Sequence, residues 1–125
     1  MSKMEIGVIG AGAISSQAHI PLLSCMENVS VKYIADIKDP YRLAKAYKTE
    51  SIKINDVSSL PDCDTVLLAI PVGAREEYIH EFSKRKIPIF TEKPFAPDLK
   101  THKRFLSLTD KITCNYLRVY FNSAR

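Results

Sequence analysis

The sequence predicts an α/β fold, a doubly wound parallel sheet of about six strands in the order 3-2-1-4-5-6. Apolar runs of strand length alternate along the chain with segments of helical periodicity, which is typical of βαβ units. The first run, Met4–Ile9, leads into a glycine turn and then into a helix. A second run ends in an acid, Asp36, about twenty residues beyond that turn. Together these features predict a sheet that binds a ligand at its carboxyl edge.

The first half of the chain is predicted to alternate three strands with two helices. Pro21 has no backbone N–H to donate, so the first helix should kink or restart there. Asp39 is typical of an N-cap, with a proline in the first position of the second helix. In that helix Leu43, Ala46 and Tyr47 share one face. The predicted elements are a strand at Met4–Ile9, a helix at Ala13–Met26, a strand at Val29–Ala35, a helix at Pro40–Lys48 and a strand at Ile52–Ile54.

The second half is predicted to continue the alternation. Thr65–Ile70 is the clearest buried strand, since it is apolar nearly throughout and is followed by a proline and a glycine. Tyr78, Ile79 and Phe82 recur at a spacing that puts them on one helical face. The predicted elements are a loop or turn at Asp56–Leu60, a strand at Thr65–Ile70, a helix at Ala74–Lys86, a strand at Ile87–Thr91, a helix at Asp98–Leu108 with Phe105 and Leu108 inward, and a strand at Ile112–Phe121.

The glycine turn has the pattern of a dinucleotide-phosphate cradle. Gly10 and Gly12 let the backbone turn sharply and approach a pyrophosphate closely. The helix that follows, from Ala13 and Ile14, should direct its free amide N–H groups at the phosphates. Ser15 replaces the usual third glycine, one small residue for another. The alternative is a tight loop that binds nothing.

Asp36 is expected to accept hydrogen bonds from the adenosine ribose hydroxyls. A carboxylate there repels the extra phosphate of NADP, so NAD is the favoured cofactor. Lys38 and Arg42 soften that repulsion, which leaves NADP as an alternative. The other interpretation of Asp36 is that it merely begins a turn with Lys38, Asp39 and Pro40.

Composition excludes several classes of partner. The 125 residues suffice for one domain, carry a net charge of +4 and contain no apolar run of membrane length. Basic groups at Lys84–Lys86 and at Lys100, Lys103 and Arg104 lack interleaved aromatics, so they are interpreted as solvated helix faces and not as a nucleic-acid surface. With no leader-like segment at its start, the chain is expected to be cytoplasmic.

In a parallel sheet of this order the ligand lies beyond the carboxyl ends of the strands. We therefore expect four segments to converge there: Gly10–Ala13, Asp36, Pro71–Gly73 and Glu92–Pro94. Together these four segments would form one site.

The sequence Glu92-Lys93-Pro94, together with the glycine turn, His19, Asp36 and Pro71, resembles the Gfo/Idh/MocA family of NAD(P)-dependent oxidoreductases over essentially all 125 residues. The resemblance implies a dinucleotide-binding (Rossmann) fold with Pro71 and Glu92 at the cofactor. It also implies that Lys93 is the catalytic residue, near the nicotinamide, where it positions the substrate hydroxyl. The alternative is a surface lysine paired with Glu92. His19 could contact the ligand or serve only for packing or capping.

The chain departs from this family in two respects. Relatives carry Thr-Pro-Asn-x-x-His after strand four, whereas this chain has Ile70-Pro-Val-Gly-Ala-Arg75. Val72 has no polar group, and Arg75 cannot act as a neutral base. Family members also continue into a second domain that supplies further acid/base groups. Residues 1–125 are expected to form one dinucleotide-binding domain and not to include that second domain.

The expected function is therefore that of the NAD(P)-binding domain of an oxidoreductase. Such an enzyme would transfer hydride to or from a sugar or polyol derivative, and this chain should not be catalytically competent alone. Its partners would be the dinucleotide and either a separate chain that supplies the missing domain or a second copy of itself. The alternative is a small NAD-responsive regulatory protein with no catalysis of its own.

Overall fold

Six parallel strands form one sheet in a computed structural model that describes residues 3–13, 15–92, 96–109 and 111–114. The strands are β1 (Met4–Ile9), β2 (Val29–Asp36), β3 (Glu50–Lys53), β4 (Thr65–Leu68), β5 (Ile89–Thr91) and β6 (Ile112–Cys114). Their order is β3-β2-β1-β4-β5-β6. This confirms the predicted fold class and places the reversal of strand order between β1 and β4.

Helices cover both faces of the sheet. They are a five-residue π-helical turn (Ser15–His19) that continues into α1 (Ile20–Ser24), then α2 (Tyr41–Ala46), α3 (Glu76–Lys84) and α4 (Leu99–Leu108). Short 3-10 turns occur at Val57–Ser59 and Val72–Ala74. The predicted strand from Ile112 is described only as far as Cys114, and its remainder lies outside the described residues.

Successive residues of each strand point to opposite faces, which divides the core into two apolar clusters. On one face, Val8 and Leu67 pack with the residues of α1 and α2. On the other, Ile9 and Leu68 pack with α3 and α4. The predicted inward residues of α3 and α4 are confirmed: Tyr78, Ile79, Phe82 and Phe105 are buried, and Leu108 packs against them. The central strands are thus packed by helices on both faces.

The first predicted helix is two segments in the structure. The chain forms a wide π turn up to His19 and becomes α-helical only at Ile20, with Pro21 in the first turn of α1. A proline cannot donate the regular i→i−4 hydrogen bond, and local widening of the helix accommodates such an interruption. The predicted interruption at Pro21 is confirmed, and the α-helical part, Ile20–Ser24, is shorter than the predicted Ala13–Met26.

The second helix is shorter than predicted. It begins at Tyr41, and Pro40 occupies the N-cap position, so the prediction of Asp39 as the N-cap with Pro40 inside the helix is wrong by one residue. Asp39 still accepts the Tyr41 N–H at 3.1 Å, from the position before the cap. The helix ends at Ala46 because Lys48 adopts a left-handed conformation with φ 55°. The buried residue is Ala44, and the predicted inward residue Ala46 is exposed.

Other element ends differ from prediction for local reasons. Strand β3 starts at Glu50 and strand β4 stops at Leu68, two residues before Ile70, since the chain turns away at the carboxyl edge. Strand β5 starts after Pro88, which has no N–H for the ladder. These shifts leave the residues of the candidate site in the loops that leave the sheet.

Candidate functional site

The carboxyl edge of the sheet brings the glycine turn against the ends of two neighbouring strands. The Gly10 N–H donates to the Ala35 carbonyl at 2.7 Å, and the Ala69 N–H donates to the Ile9 carbonyl at 2.8 Å. The turn after β1 is therefore tied to β2 on one side and to β4 on the other. This is the point where strand order reverses, at which doubly wound sheets bind ligands.

Gly10 is required by the protein's own backbone. Its φ of +107° is a conformation that side chains rarely tolerate. A Cβ at this position would lie 2.3 Å from the Ala69 carbonyl oxygen. The turn can therefore pass over the end of β4 only with a glycine here.

Gly12 is different, because no atom of the described residues lies within 4 Å of where its Cβ would be. The residue is exposed, and its carbonyl accepts the Ser16 N–H at 3.0 Å, which starts the helical turn. Ala13 beside it is also exposed. The bare face of Gly12 leaves space in which a ligand can approach the backbone closely.

The Asp36 carboxylate is anchored to the glycine turn. Its Oδ2 accepts the Ala11 N–H at 2.7 Å, and its Oδ1 lies 3.4 Å from the Lys38 N–H. The contact with the Lys38 N–H matches the alternative interpretation, in which Asp36 begins a turn with the residues that follow it. The contact with the Ala11 N–H places the carboxylate beside the glycine turn. A carboxylate has more acceptor positions than these two contacts occupy, so it can still accept ligand hydroxyls.

Two crevices meet at Asp36 and Gly12. One, of about 540 Å³, is lined by Lys38, Arg42 and Tyr41 together with Asp36 and Asp39. The other, of about 250 Å³, has apolar walls that include Ile37, Ile54, Ile70 and Pro71, and Tyr78 also lines it. The first offers groups of both charges to a polar ligand, whereas the second has the character of a slot for a flat ring.

Tyr78 keeps its proton in this slot. Burial raises the pKa of its phenol, and the nearby carboxylates of Glu77 and Asp36 raise it further. The group is therefore a neutral hydrogen-bond donor or acceptor over the physiological range. Sequence reasoning identified Tyr78 as a core residue and missed that it also lines the crevice, since helical periodicity reports the buried face but not what lies at its edge.

Arg75 is turned into the protein, with an exposed fraction of 2%. Its Nε donates to the Ile70 carbonyl at 3.2 Å. The guanidinium therefore fastens the loop after β4, and it is not among the residues that line the two crevices at Asp36. Nothing in the sequence signals this, because an arginine followed by two glutamates is typical of an exposed helix start.

Glu92 contacts His19, a pairing that sequence reasoning missed. The imidazole Nε2 lies 2.6 Å from Oε1 of Glu92, and the two side chains are only 18% and 14% exposed. Nε2 has no hydrogen-bond partner among the described residues, so the contact is one of close packing. The ring also meets Phe90 edge-on, with centroids 6.4 Å apart. The ring therefore packs against β5, which is one of the roles left open for His19.

The predicted site residues thus fall into three groups. Gly10, Gly12, Asp36 and Pro71 surround one crevice. Ala13 is exposed at the start of the helical turn, and Glu92 is turned toward His19. Ile14, Lys93 and Pro94 lie outside the described residues.

The residues present fit an NAD(P) cofactor. Asp36 supplies an acceptor for ribose hydroxyls, the bare face of Gly12 admits phosphates, and the apolar slot matches the faces of an adenine ring. Within the described ranges no cluster of histidine, cysteine or acidic residues has the makings of a metal site. In the same ranges no helix has the length and apolar character needed to cross a bilayer.

Comparison with known proteins agrees with this geometry. Residues 4–121 match the family model described as an oxidoreductase family with an NAD-binding Rossmann fold. The inositol 2-dehydrogenase of Corynebacterium glutamicum strain R is 29% identical over 129 residues, which cover 97% of this chain and 37% of the relative. That of Acidothermus cellulolyticus is 34% identical over 100 residues, which cover 75% and 29%.

Solved structures show the same fold. A putative myo-inositol dehydrogenase from Sinorhizobium meliloti 1021 superposes with a TM-score of 0.81 at 24% identity, covering 93% of this chain and 37% of that one. A 3-ketoreductase from Actinomadura kijaniata, solved with NADP, gives a TM-score of 0.75 at 20% identity over 86% of this chain and 35% of that one. The chain thus spans little more than a third of the length of the relatives that it matches.

Proposed function

The chain belongs to the Gfo/Idh/MocA family of oxidoreductases and comprises its NAD-binding domain; from that premise we propose that Gly12, Ala13, Ile14, Asp36 and Pro71 hold the cofactor. Asp36 accepts the ribose hydroxyls, and the pyrophosphate crosses the bare face of Gly12. The observation that carries this proposal is the Asp36 carboxylate, fixed to the glycine turn beside the open backbone of Gly12. Gly10 contributes indirectly, by allowing the turn to form.

We propose that this domain prefers NAD and also accepts NADP. The Asp36 carboxylate repels a phosphate on the ribose. Lys38 and Arg42 line the larger crevice together with Asp36, and their charges offset part of that repulsion. The preference should therefore be moderate.

The proposed reaction is hydride transfer on a sugar or polyol derivative. The bound nicotinamide supplies or accepts the hydride. Lys93 directly follows Glu92 and is the proposed catalytic residue: its ammonium donates to the substrate oxygen and stabilises negative charge there. The inositol dehydrogenases among the relatives support a polyol as the substrate class.

Hydride transfer also requires groups that close over the substrate and exclude water. The relatives are nearly three times the length of this chain. We therefore propose that turnover needs further protein, supplied by additional residues of a longer form, by a separate chain or by self-association. Cofactor binding needs none of these.

The test is a fluorescence titration of the purified chain with NADH and with NADPH. NADH should bind more tightly than NADPH. Asp36→Ala should weaken NADH binding about tenfold to a hundredfold, because it removes charge-assisted hydrogen bonds worth roughly 1.5 to 3 kcal/mol. The same variant should reduce the preference for NADH over NADPH, since it also removes the repulsion between the carboxylate and the phosphate on the NADPH ribose.

Asp39→Ala is the matched control. It removes a carboxylate from the same crevice, but one that, within the described ranges, accepts the Tyr41 N–H and the Ser51 hydroxyl and does not contact the glycine turn. Its NADH affinity should stay close to that of the wild type. An Asp36→Ala variant with unchanged NADH affinity would remove Asp36 from the site, and a wild-type chain that binds neither nucleotide would overturn the proposal.

A further inference from the structure

We propose that Tyr78 recognises the base of the cofactor, with its phenol oxygen accepting a hydrogen bond from the exocyclic amine of adenine. The inference rests on the proposed function, in which Asp36 binds the adenosine ribose. Tyr78 then contacts the cofactor directly and makes this domain selective for a 6-aminopurine dinucleotide. The smaller crevice supplies the argument, since both residues line it.

The two crevices that meet at Asp36 limit where the base can lie. In a nucleoside the base is attached to the carbon next to the one that bears the 2′-hydroxyl, so a ribose held by Asp36 places the base in one of them. The larger crevice is lined by charged side chains, Lys38 and Arg42 among them. The smaller has apolar walls from the loops after β2 and β4, including Ile37 and Ile70. An uncharged planar ring therefore belongs in the smaller crevice.

Tyr78 is the polar side chain that the smaller crevice leaves for the base. Of the described residues that line this crevice, only Asp36 and Tyr78 have polar side chains. Asp36 already accepts the Ala11 N–H and is assigned to the ribose. Apolar walls also exclude water that would compete for a hydrogen bond, so a single hydroxyl contributes more there than it would at the surface.

The ring of Tyr78 is buried, while its hydroxyl stays available to a ligand. The residue is 6% exposed and belongs to the same apolar cluster as Ile9 and Ile54. Within the described ranges the hydroxyl makes no hydrogen bond, yet its oxygen is not one of the buried polar atoms that lack a partner. The oxygen therefore reaches the space that the residue lines, and a ligand can bond to it without breaking a bond of the protein.

Contacts at the start of α3 fix the position of the ring. The helix begins at Glu76, so Tyr78 lies in its first turn. Arg75, just before the helix, donates from Nε to the Ile70 carbonyl at 3.2 Å, and its own carbonyl accepts the Ile79 N–H at 3.0 Å. The start of the helix is thereby tied to the loop that forms one wall of the crevice. Tyr78 thus presents its hydroxyl at a defined place, as recognition of one edge of a base requires.

The charges around Tyr78 decide which group of a base it prefers. Burial raises the pKa of the phenol, and the negative charges of Glu77 and Asp36 raise it further, so the hydroxyl keeps its proton. The hydroxyl dipole turns this proton toward the carboxylates and leaves the lone pairs of the oxygen for a donor. Adenine offers its 6-amine as that donor, whereas hypoxanthine has a carbonyl oxygen in the same place and offers no proton there.

The experiment is a fluorescence titration with NADH and with its deaminated analogue, in which hypoxanthine replaces adenine. Both carry the reduced nicotinamide, so the same signal reports their binding. The wild type should bind NADH about threefold to tenfold more tightly than the analogue, as expected for one hydrogen bond between neutral groups. Tyr78→Phe should lose this factor in NADH affinity and bind the analogue about as tightly as the wild type does. Its free energy of unfolding should change little, because no hydrogen bond of the described residues is lost.

Tyr41→Phe is the matched control, since it removes a hydroxyl from the larger crevice and should keep the preference for NADH. Loss of the preference in this control would place the base in the larger crevice and overturn the inference. Equal affinities of the wild type for the two nucleotides, or a preference unchanged in Tyr78→Phe, would overturn it as well. The cofactor site itself stands in those cases if Asp36→Ala weakens NADH binding. If the wild type does not bind NADH, the proposed function falls and the inference with it.

Discussion

The two halves of the sheet contribute to the candidate site in different ways. In the half built from β1 and β2, the backbone of Gly12 and the carboxylate of Asp36 face open crevices. In the half built from β4 and β5, the polar groups of Arg75 and Glu92 are engaged by the protein itself, with the Ile70 carbonyl and with His19. The first half therefore presents polar ligand-binding groups directly, while the described part of the second half contributes apolar walls of the smaller crevice, Pro71 among them, and holds its loops in place.

The largest effect is expected at Gly10, where the two halves meet. Gly10→Ala imposes a strained φ and pushes a Cβ against the Ala69 carbonyl oxygen. Backbone strain of this kind together with the displacement of β4 should cost about 3 kcal/mol. Urea unfolding of the variant and the wild type measures this cost. If the free energy of unfolding fell by less than about 1 kcal/mol, the close contact between Gly10 and the Ala69 carbonyl would not constrain the turn.

Gly12 and Gly73 form a matched pair, one in each half. Neither has a described atom within 4 Å of its would-be Cβ, and neither has a left-handed φ. Alanine at either position should change the free energy of unfolding by no more than about 1 kcal/mol. NADH affinity should fall about tenfold in Gly12→Ala only, because the added methyl occupies the space proposed for the pyrophosphate. Equal affinities in the two variants would contradict the assignment of ligand binding to the first half.

The smallest effect is expected at Asp98, which caps α4 in the second half. Its carboxylate accepts the Thr101 N–H at 2.7 Å, and this bond holds the pKa of Asp98 below its usual value. The cap therefore stabilises the fold at neutral pH, and its contribution is lost as the pH falls through the pKa of the folded state.

Asp98→Ala should thus lower the melting temperature slightly near neutral pH, and the difference from the wild type should close in acid. Thermal unfolding followed by circular dichroism over a pH series measures it, and NADH affinity should not change. A difference that widened in acid would contradict the direction of the pKa shift.

The first half was the easier one to predict from sequence. Gly10 and Asp36 are dictated by backbone geometry and charge, and both show as residue types at a fixed spacing. Strand order followed from the alternation of elements and from the handedness of their connections.

In the second half, the buried face of α3 was also predicted, from the spacing of Tyr78 and Phe82.

The missed features depend on contacts between distant segments. His19 meets Glu92 only because a π turn redirects the first helix, and periodicity analysis assumes regular turns. Arg75 is buried although its sequence neighbours are charged, since it spans a loop that is irregular in structure. Ala44 replaced Ala46 as the inward residue because the helix ends early at the left-handed Lys48.

The close approach of Gly10 to Ala69 has a consequence for engineering. A glycine turn grafted alone into another scaffold would lack the carbonyl against which it rests, so the transplant must include the end of β4. Asp36 and the residues that follow it, Lys38 to Arg42, border the larger crevice. Redesign of nucleotide preference can therefore be confined to residues 36–42, with the glycine turn and the end of β4 kept as one unit.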